Sequence, residues 1–177
     1  KQRCMTPFGH ARIRTFGAFR AALAAPAART PNGLRDTLQR YDGHDIMWTV
    51  RWQRFIASKP LAWIHTRRVP YDTTLVDTDD MRVRILYWPP RFVMPFHDHP
   101  GCDLVSMRVL GGSPLQEHVR RTGASFRREL VVGDVSVIPG EDTEHRIQVK
   151  FDDMSSQTLS VELLTAVEGV REQSIAE

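Results

Sequence analysis

Residues 94–112 read MPFHDHPGCDLVSMRVLGG, and the reading of this stretch decides the fold. His97 and His99 are separated by one residue. In an extended chain, side chains two apart point the same way, so both imidazoles face one side and can share a metal ion. The pair is followed by an apolar run, DLVSMRVL at 103–110, which stops at Gly111-Gly112. Pro89-Pro90 stands before it. A third histidine, His145, follows a second punctuated stretch marked by Gly133-Asp134 and Pro139-Gly140. Three imidazoles from two strands cap one face of an ion and leave other positions open. An open position is what separates a catalytic metal site from a structural one.

Outward from this stretch, short alternating segments recur between turn signals. They are 81–88, 92–99, 103–110, 115–120, 129–138, 145–150 and 157–164. Seven short strands without an intervening helix predict an all-β sandwich or barrel. The first third reads differently. Ile13, Phe16, Phe19 and Leu23 have helical spacing that ends at Pro26, and 27–33 (AARTPNG) reads as a linker. Leu34, Leu38 and Tyr41 space a second short helix. Residues 46–57 predict a third, with Trp48, Trp52 and Phe55 as its core stripe. The expected organisation is a helical extension over 1–58 and a β-barrel domain over 59–177.

The 177 residues suit one domain with an extension. An apolar fraction of 41% and a charged fraction of 25% exclude a disordered chain, a collagen-like fibre and a coiled coil. No apolar run is long enough to span a membrane as a helix, so no membrane partner is expected. Cys4 and Cys102 form neither a disulfide framework nor a thiolate zinc cage. Residues 1–35 hold seven basic side chains and no acidic one, leaving 17 basic against 21 acidic residues in the remainder. Such a start reads as a structural helix or as a mitochondrial targeting segment, and the compartment expected otherwise is the cytoplasm. No run of Lys and Arg exceeds two and no stacking platform accompanies them, so nucleic acid is not an expected partner.

The two-part layout, from Pro89-Pro90 through His97-x-His99 to Gly111 and then from Gly133-Asp134 through Pro139 to His145, resembles that of cupins. The wording of 94–101, with Arg108-Val-Leu-Gly-Gly112, resembles the cysteamine dioxygenase and plant cysteine oxidase family. That family's first motif reads Pro-Leu-His-Asp-His-Pro-Gly, and it too has a helical stretch before its barrel. The resemblance covers roughly residues 80–165. It implies a double-stranded cupin β-barrel in which His97, His99 and His145 are the catalytic ligands of Fe(II). It implies oxidation of a small aminothiol such as cysteamine, or of a peptide beginning with cysteine, by O2 to a sulfinic acid. Glu162 stands at the acidic position of the family's end pattern, without the Pro-Pro-Tyr that follows there. The chemistry has a physical reason. Three neutral imidazoles leave Fe(II) its full charge, which favours a thiolate over a thiol whose free pKa is about 8.5.

Other residues leave alternatives open. Asp103, four after His99, is either a fourth ligand or a carboxylate outside the first ring of contacts. Asp98 points to the face opposite His97. Cys102 is redox-active or a buried inert thiol. Arg82 and Arg84 share one strand face, where one of them clamps a substrate carboxylate or both meet solvent. Tyr87 or Trp88 can line a pocket mouth, and His118 can support a ligand from behind. His10, His44 and His65 read as surface or capping residues. Two rival functions use the same barrel. One is a Zn or Mn isomerase, which predicts ligation by Asp103. The other is a non-catalytic cupin that binds a small ligand.

Overall fold

The computed structural model describes residues 11–46, 71–151 and 154–165. The chain divides into two compact units, Lys1–Lys59 and Pro60–Glu177.

In the first unit, helix α1 (Phe16–Ala24) leads through a 3-10 turn (Pro26–Arg29) into helix α2 (Pro31–Arg40). Each α-helix begins on a threonine whose hydroxyl accepts a backbone N–H. Thr15 takes that of Ala18 at 3.2 Å, and Thr30 that of Gly33 at 3.1 Å. Pro31 occupies the first turn of α2, where its missing N–H costs nothing. The stretch 27–33 is therefore not a linker. Its Thr-Pro pair is a helix start, and its glycine is needed for contact, since a Cβ on Gly33 would lie 1.8 Å from the Ala27 carbonyl oxygen. Phe19, Leu23, Leu34, Leu38 and Tyr41 form the core of this unit, with the Phe19 and Tyr41 rings stacked at 4.3 Å. The expected helix at 46–57, with Trp48, Trp52 and Phe55, lies outside the described residues from 47 onward, as do His10, His65 and Cys4.

The second unit is antiparallel β throughout its described part. Its strands are β1 (Tyr71–Asp77), β2 (Met81–Trp88), β3 (Cys102–Gly112), β4 (Leu115–Arg121), β5 (Ala124–Leu130), β6 (Val135–Pro139), β7 (Thr143–Val149) and β8 (Ser156–Leu164). They form a five-stranded sheet in the order β1-β2-β8-β3-β6 and a three-stranded sheet in the order β5-β4-β7. Two of these strands, β1 and β5, go beyond the sequence reading. The run expected as one strand at 129–138 is two, because Val131–Asp134 form a turn closed by the Asp134 carboxylate on the Val131 N–H at 2.9 Å.

The stretch 92–99 is not a regular strand. Pro95 and Pro100 bring no N–H, so a continuous ladder cannot form. The stretch runs extended along β7 and pairs only where donors exist. Met94 donates to Ile147 at 2.8 Å, His97 to His145 at 3.1 Å, and His145 returns a bond to His97 at 2.9 Å. This edge segment extends the smaller sheet and carries two of the three histidines.

The strand register puts apolar and polar side chains in different parts of the interior. Trp88, Met107, Val109, Leu115, Leu130, Ile147 and Val149 form one buried cluster, and the Trp88 indole N–H donates to Thr158 at 2.9 Å. Towards the other end of β8, Ser160 stands opposite Arg84 and Met107, while Glu162 stands opposite Arg82 and Val105. The opposite face of the larger sheet carries Val83, Ile85, Leu159, Val161 and Leu163, all buried as well.

Candidate metal centre

His145 enters the interior from β7 because β7 alternates. Thr143, His145, Ile147 and Val149 are buried, while Glu144 is exposed. The backbone bridge between His97 and His145 sets those two residues side by side. Their ring centroids lie 4.6 Å apart, and His99 completes a triangle at 5.0 Å from His97 and 5.2 Å from His145. One ring nitrogen from each residue falls within a cluster no wider than 4.8 Å.

The opposite ring nitrogens explain this arrangement. Nδ1 of His97 lies 3.0 Å from the Pro95 carbonyl oxygen. Nδ1 of His145 lies 3.1 Å from Oε1 of Glu117. Nδ1 of His99 lies 3.4 Å from Oε1 of Glu162. A carbonyl and an ionised carboxylate only accept, so each Nδ1 carries the proton and each Nε2 presents a lone pair. Nε2 of His99 and Nε2 of His145 are then two lone pairs only 3.1 Å apart. They repel unless something positive lies near both. Two nitrogens bound to one ion at about 2.1 Å stand about 3.0–3.4 Å apart, so the spacing and the donor set fit a metal ion.

Each supporting carboxylate is itself held. Glu117, 1% exposed, accepts from Arg128 Nε at 2.6 Å and from the Ser136 hydroxyl at 2.7 Å. Burial pushes its pKa up, but the His145 hydrogen bond and the Arg128 charge outweigh this and bring it below the ordinary carboxylate range. Glu162 follows the same pattern. Burial raises its pKa, and the His99 hydrogen bond with the Arg84 charge brings it below the usual value. Arg84 hydrogen-bonds Oε1 of Glu162, and Arg82 reaches Oε2 at 3.5 Å while also pairing with Asp77. His97 is held neutral mainly by burial, with the charges of its two neighbours adding to the effect.

The triad opens on a cavity of about 90 Å³. Leu86, Trp88, Met94, Met107, Ile138 and Ile147 give it an apolar wall, and Arg84, Ser136 and Ser160 add polar atoms.

The other residues singled out in the sequence fall in various places. Asp103 faces away from the cluster. It is exposed, and its carboxylate accepts from the Thr165 hydroxyl at 2.8 Å. Counting alternation from His99 fails because Gly101, at φ +76°, turns the chain before β3 begins. Arg84 is not a solvated surface residue, since it lines the cavity and is tied to Glu162. Trp88 lines the cavity, whereas Tyr87 is buried on the opposite sheet face beside Val83 and Ile85. Cys102 is buried among Val105, Val119 and Ile138, with its thiol pKa pushed up by burial and then by the Glu162 charge. A thiol in that state stays protonated and unreactive. His118 points outward from β4 and bonds Ser125 at 2.8 Å. Asp98 is exposed, opposite its histidine neighbours.

Glu117 is the functional candidate that sequence reading missed. Its signal was present, because it sits between Leu115 and Val119 in their alternation and is a charged residue buried with them on that face of β4.

No protein-family model and no curated protein sequence matches this chain. Solved structures do resemble it. A cupin domain from Bordetella pertussis is 18% identical, over 56% of this chain and 98% of that one, with a TM-score of 0.44. A cupin superfamily protein from Desulfitobacterium hafniense is 18% identical, over 60% of this chain and 89% of that one, with a TM-score of 0.45. The cupin domain of Schizosaccharomyces pombe Cnp3 is 11% identical over 54% of this chain, which spans 65% of that one, with a TM-score of 0.45. The decisive observation is the strand order, β1-β2-β8-β3-β6 against β5-β4-β7, all antiparallel. The fold is a two-sheet antiparallel jelly-roll barrel, consistent with the cupin barrel expected from the sequence. In this barrel the three histidines sit on the edge segment and β7 of the smaller sheet, and one of their supporting carboxylates comes from each sheet.

Proposed function

We propose that this protein is a non-haem iron thiol dioxygenase. It converts a small aminothiol, or a cysteine at the start of a peptide, to the sulfinic acid. The observation that carries this reading is a donor set of three neutral imidazole Nε2 atoms to which, among the described residues, no carboxylate is added. Glu117 and Glu162 sit behind the ligands, on Nδ1, and Asp103 is turned away. A bound divalent ion keeps its full charge in such a set. Fe(II) held there would supply a site for a thiolate beside dioxygen and the electrons that let them combine.

The chain's own residues do the rest. The Pro95 carbonyl, Glu162 and Glu117 fix the three rings in one tautomer and orientation. The apolar wall keeps water from the sulfur. The cavity accommodates the thiol end of a substrate against the three imidazoles. Arg84 is engaged by Glu162 and offers no free clamp for a substrate carboxylate, which favours aminothiols over thiol acids. The reaction balances without a further reductant. Both atoms of O2 end on sulfur, which is oxidised as they are reduced, and the thiol proton passes to the sulfinic acid.

The test is mass spectrometry of cysteamine, cysteine, 3-mercaptopropionate and a Cys-initiated peptide incubated in air with the Fe(II)-loaded protein. Gain of two oxygen atoms on cysteamine or the peptide, absent with His97→Ala, is the expected result. No gain on any member, with iron demonstrably bound, would overturn the proposal for these thiols.

A further inference from the structure

A second polar cluster lies on the outer face of the smaller sheet, on the side away from the histidine triad. Arg127 on β5, His118 on β4 and Arg146 on β7 stand directly opposite one another, in one rung across three strands. Gln116 and Gln148 face each other one step further along the same face. These five residues, together with Glu117, whose carboxylate is turned inward to His145, line a recess of about 60 Å³.

The two arginines flank His118 from either side, so they gather positive charge around the recess. Among the described residues, neither Arg127 nor Arg146 has an ion-pair partner. On the same outer face Glu144 stands opposite Arg120, one rung away, and two other acidic neighbours are committed elsewhere. Glu117 points inward to His145, and Glu129 pairs with Lys150 at 2.5 Å. The centre of the rung is also unsatisfied. His118 Nε2 lies 2.8 Å from the Ser125 hydroxyl, but its Nδ1 is out of contact with water and has no hydrogen-bond partner. Two guanidinium groups that line one recess and have no ion-pair partner among the described residues suit an anionic ligand. Positive charge continues past the rung, where Arg120 lies 3.7 Å over the Phe96 ring and Arg146 lies 5.4 Å from it.

We propose that this recess binds a phosphate group, held by Arg127 and Arg146 on either side of His118, with the amides of Gln116 and Gln148 at its rim. The donor count favours phosphate over a carboxylate. Two guanidinium forks and two amides supply more donors than two carboxylate oxygens can accept, and a tetrahedral oxyanion meets donors from several directions. The rest of a phosphorylated ligand would lie towards Arg120 and Phe96.

The test is calorimetric titration of the full chain with inorganic phosphate, set against chloride of equal ionic strength and against acetate. Arg127→Gln and Arg146→Gln are both exposed or half-buried changes on the sheet surface. We expect saturable phosphate binding that either variant weakens about tenfold or more, with no comparable acetate binding. His97→Ala should leave it unchanged. Three results would overturn the proposal. One is no saturable heat above the chloride control. Another is equal binding of acetate. The third is binding that survives both arginine variants but is lost in His97→Ala, which would place phosphate at the histidine cluster.

Discussion

Glu117 shows how much one buried carboxylate can determine. It accepts from His145, Arg128 and Ser136 together, and so sets the ring that faces the metal position. Removing such a support behind a metal ligand typically costs about 10–100-fold in metal affinity. Glu117→Gln is expected to lose metal affinity within that range in a chelator competition titration, while retaining the fold. The same residue sets an acid limit. Its folded pKa lies below the ordinary value, so it stabilises the fold fully above the unfolded pKa of about 4.5 and loses that contribution as pH falls through the folded value. Unfolding curves of the wild type should therefore weaken below about pH 5, and those of Glu117→Gln should weaken less steeply over the same range. At this scale the sequence was a mixed guide. The three histidines and Glu162 were legible from spacing and motif. Asp103 was misplaced because parity was counted through Gly101. Glu117 went unremarked because a glutamate in a strand is ordinarily a surface residue, and only its company of Leu115 and Val119 says otherwise.

Among the elements, the segment 92–99 matters most, because it carries His97 and His99 without being a strand. Its proline-limited pairing leaves Phe92, Met94 and His97 bonded to β7, and the Gly101 turn then releases the chain into β3. A Cβ at Gly101 would meet nothing within 4 Å, so Gly101→Ala isolates the cost of its positive φ. That cost is expected to be about 1–2 kcal/mol in denaturant unfolding, with metal affinity reduced alongside. If stability is unchanged, the turn does not require glycine. Strands with a buried face, such as β2, β3, β4 and β8, were read from their alternation within a residue or two. β5 was missed because its sequence, ASFRREL, is almost wholly exposed and carries no alternation to read. The linker expected at 27–33 was misread for a different reason, since Thr30-Pro31 serves a helix start as well as it serves a turn.

Across the whole barrel, the apolar cluster around Trp88 and Leu115 fills one part of the interior, and the histidines with their carboxylates occupy another. Lone pairs gathered without a counter-charge oppose folding, so an ion that binds them stabilises the native state by mass action. Saturating the metal-free protein with a divalent ion at about 100 times its Kd should add about 2.7 kcal/mol of stability, read as a rise in Tm that His145→Ala abolishes. The barrel and its triad were legible in the sequence because both rest on local patterns. The support behind the triad was not, since it joins residues far apart in the chain, as when Glu162 meets His99 and Arg84. The central claim concerns what this arrangement does to oxygen. The most direct measurement is turnover of cysteamine by the Fe(II)-loaded protein in a mixture of unlabelled and doubly labelled dioxygen, with the product read by mass. The account predicts sulfinate carrying either two labelled oxygens or none, because both atoms come from one O2 molecule. Sulfinate carrying a single labelled oxygen as the main species, or cysteamine returned unoxidised by iron-loaded protein, would contradict it.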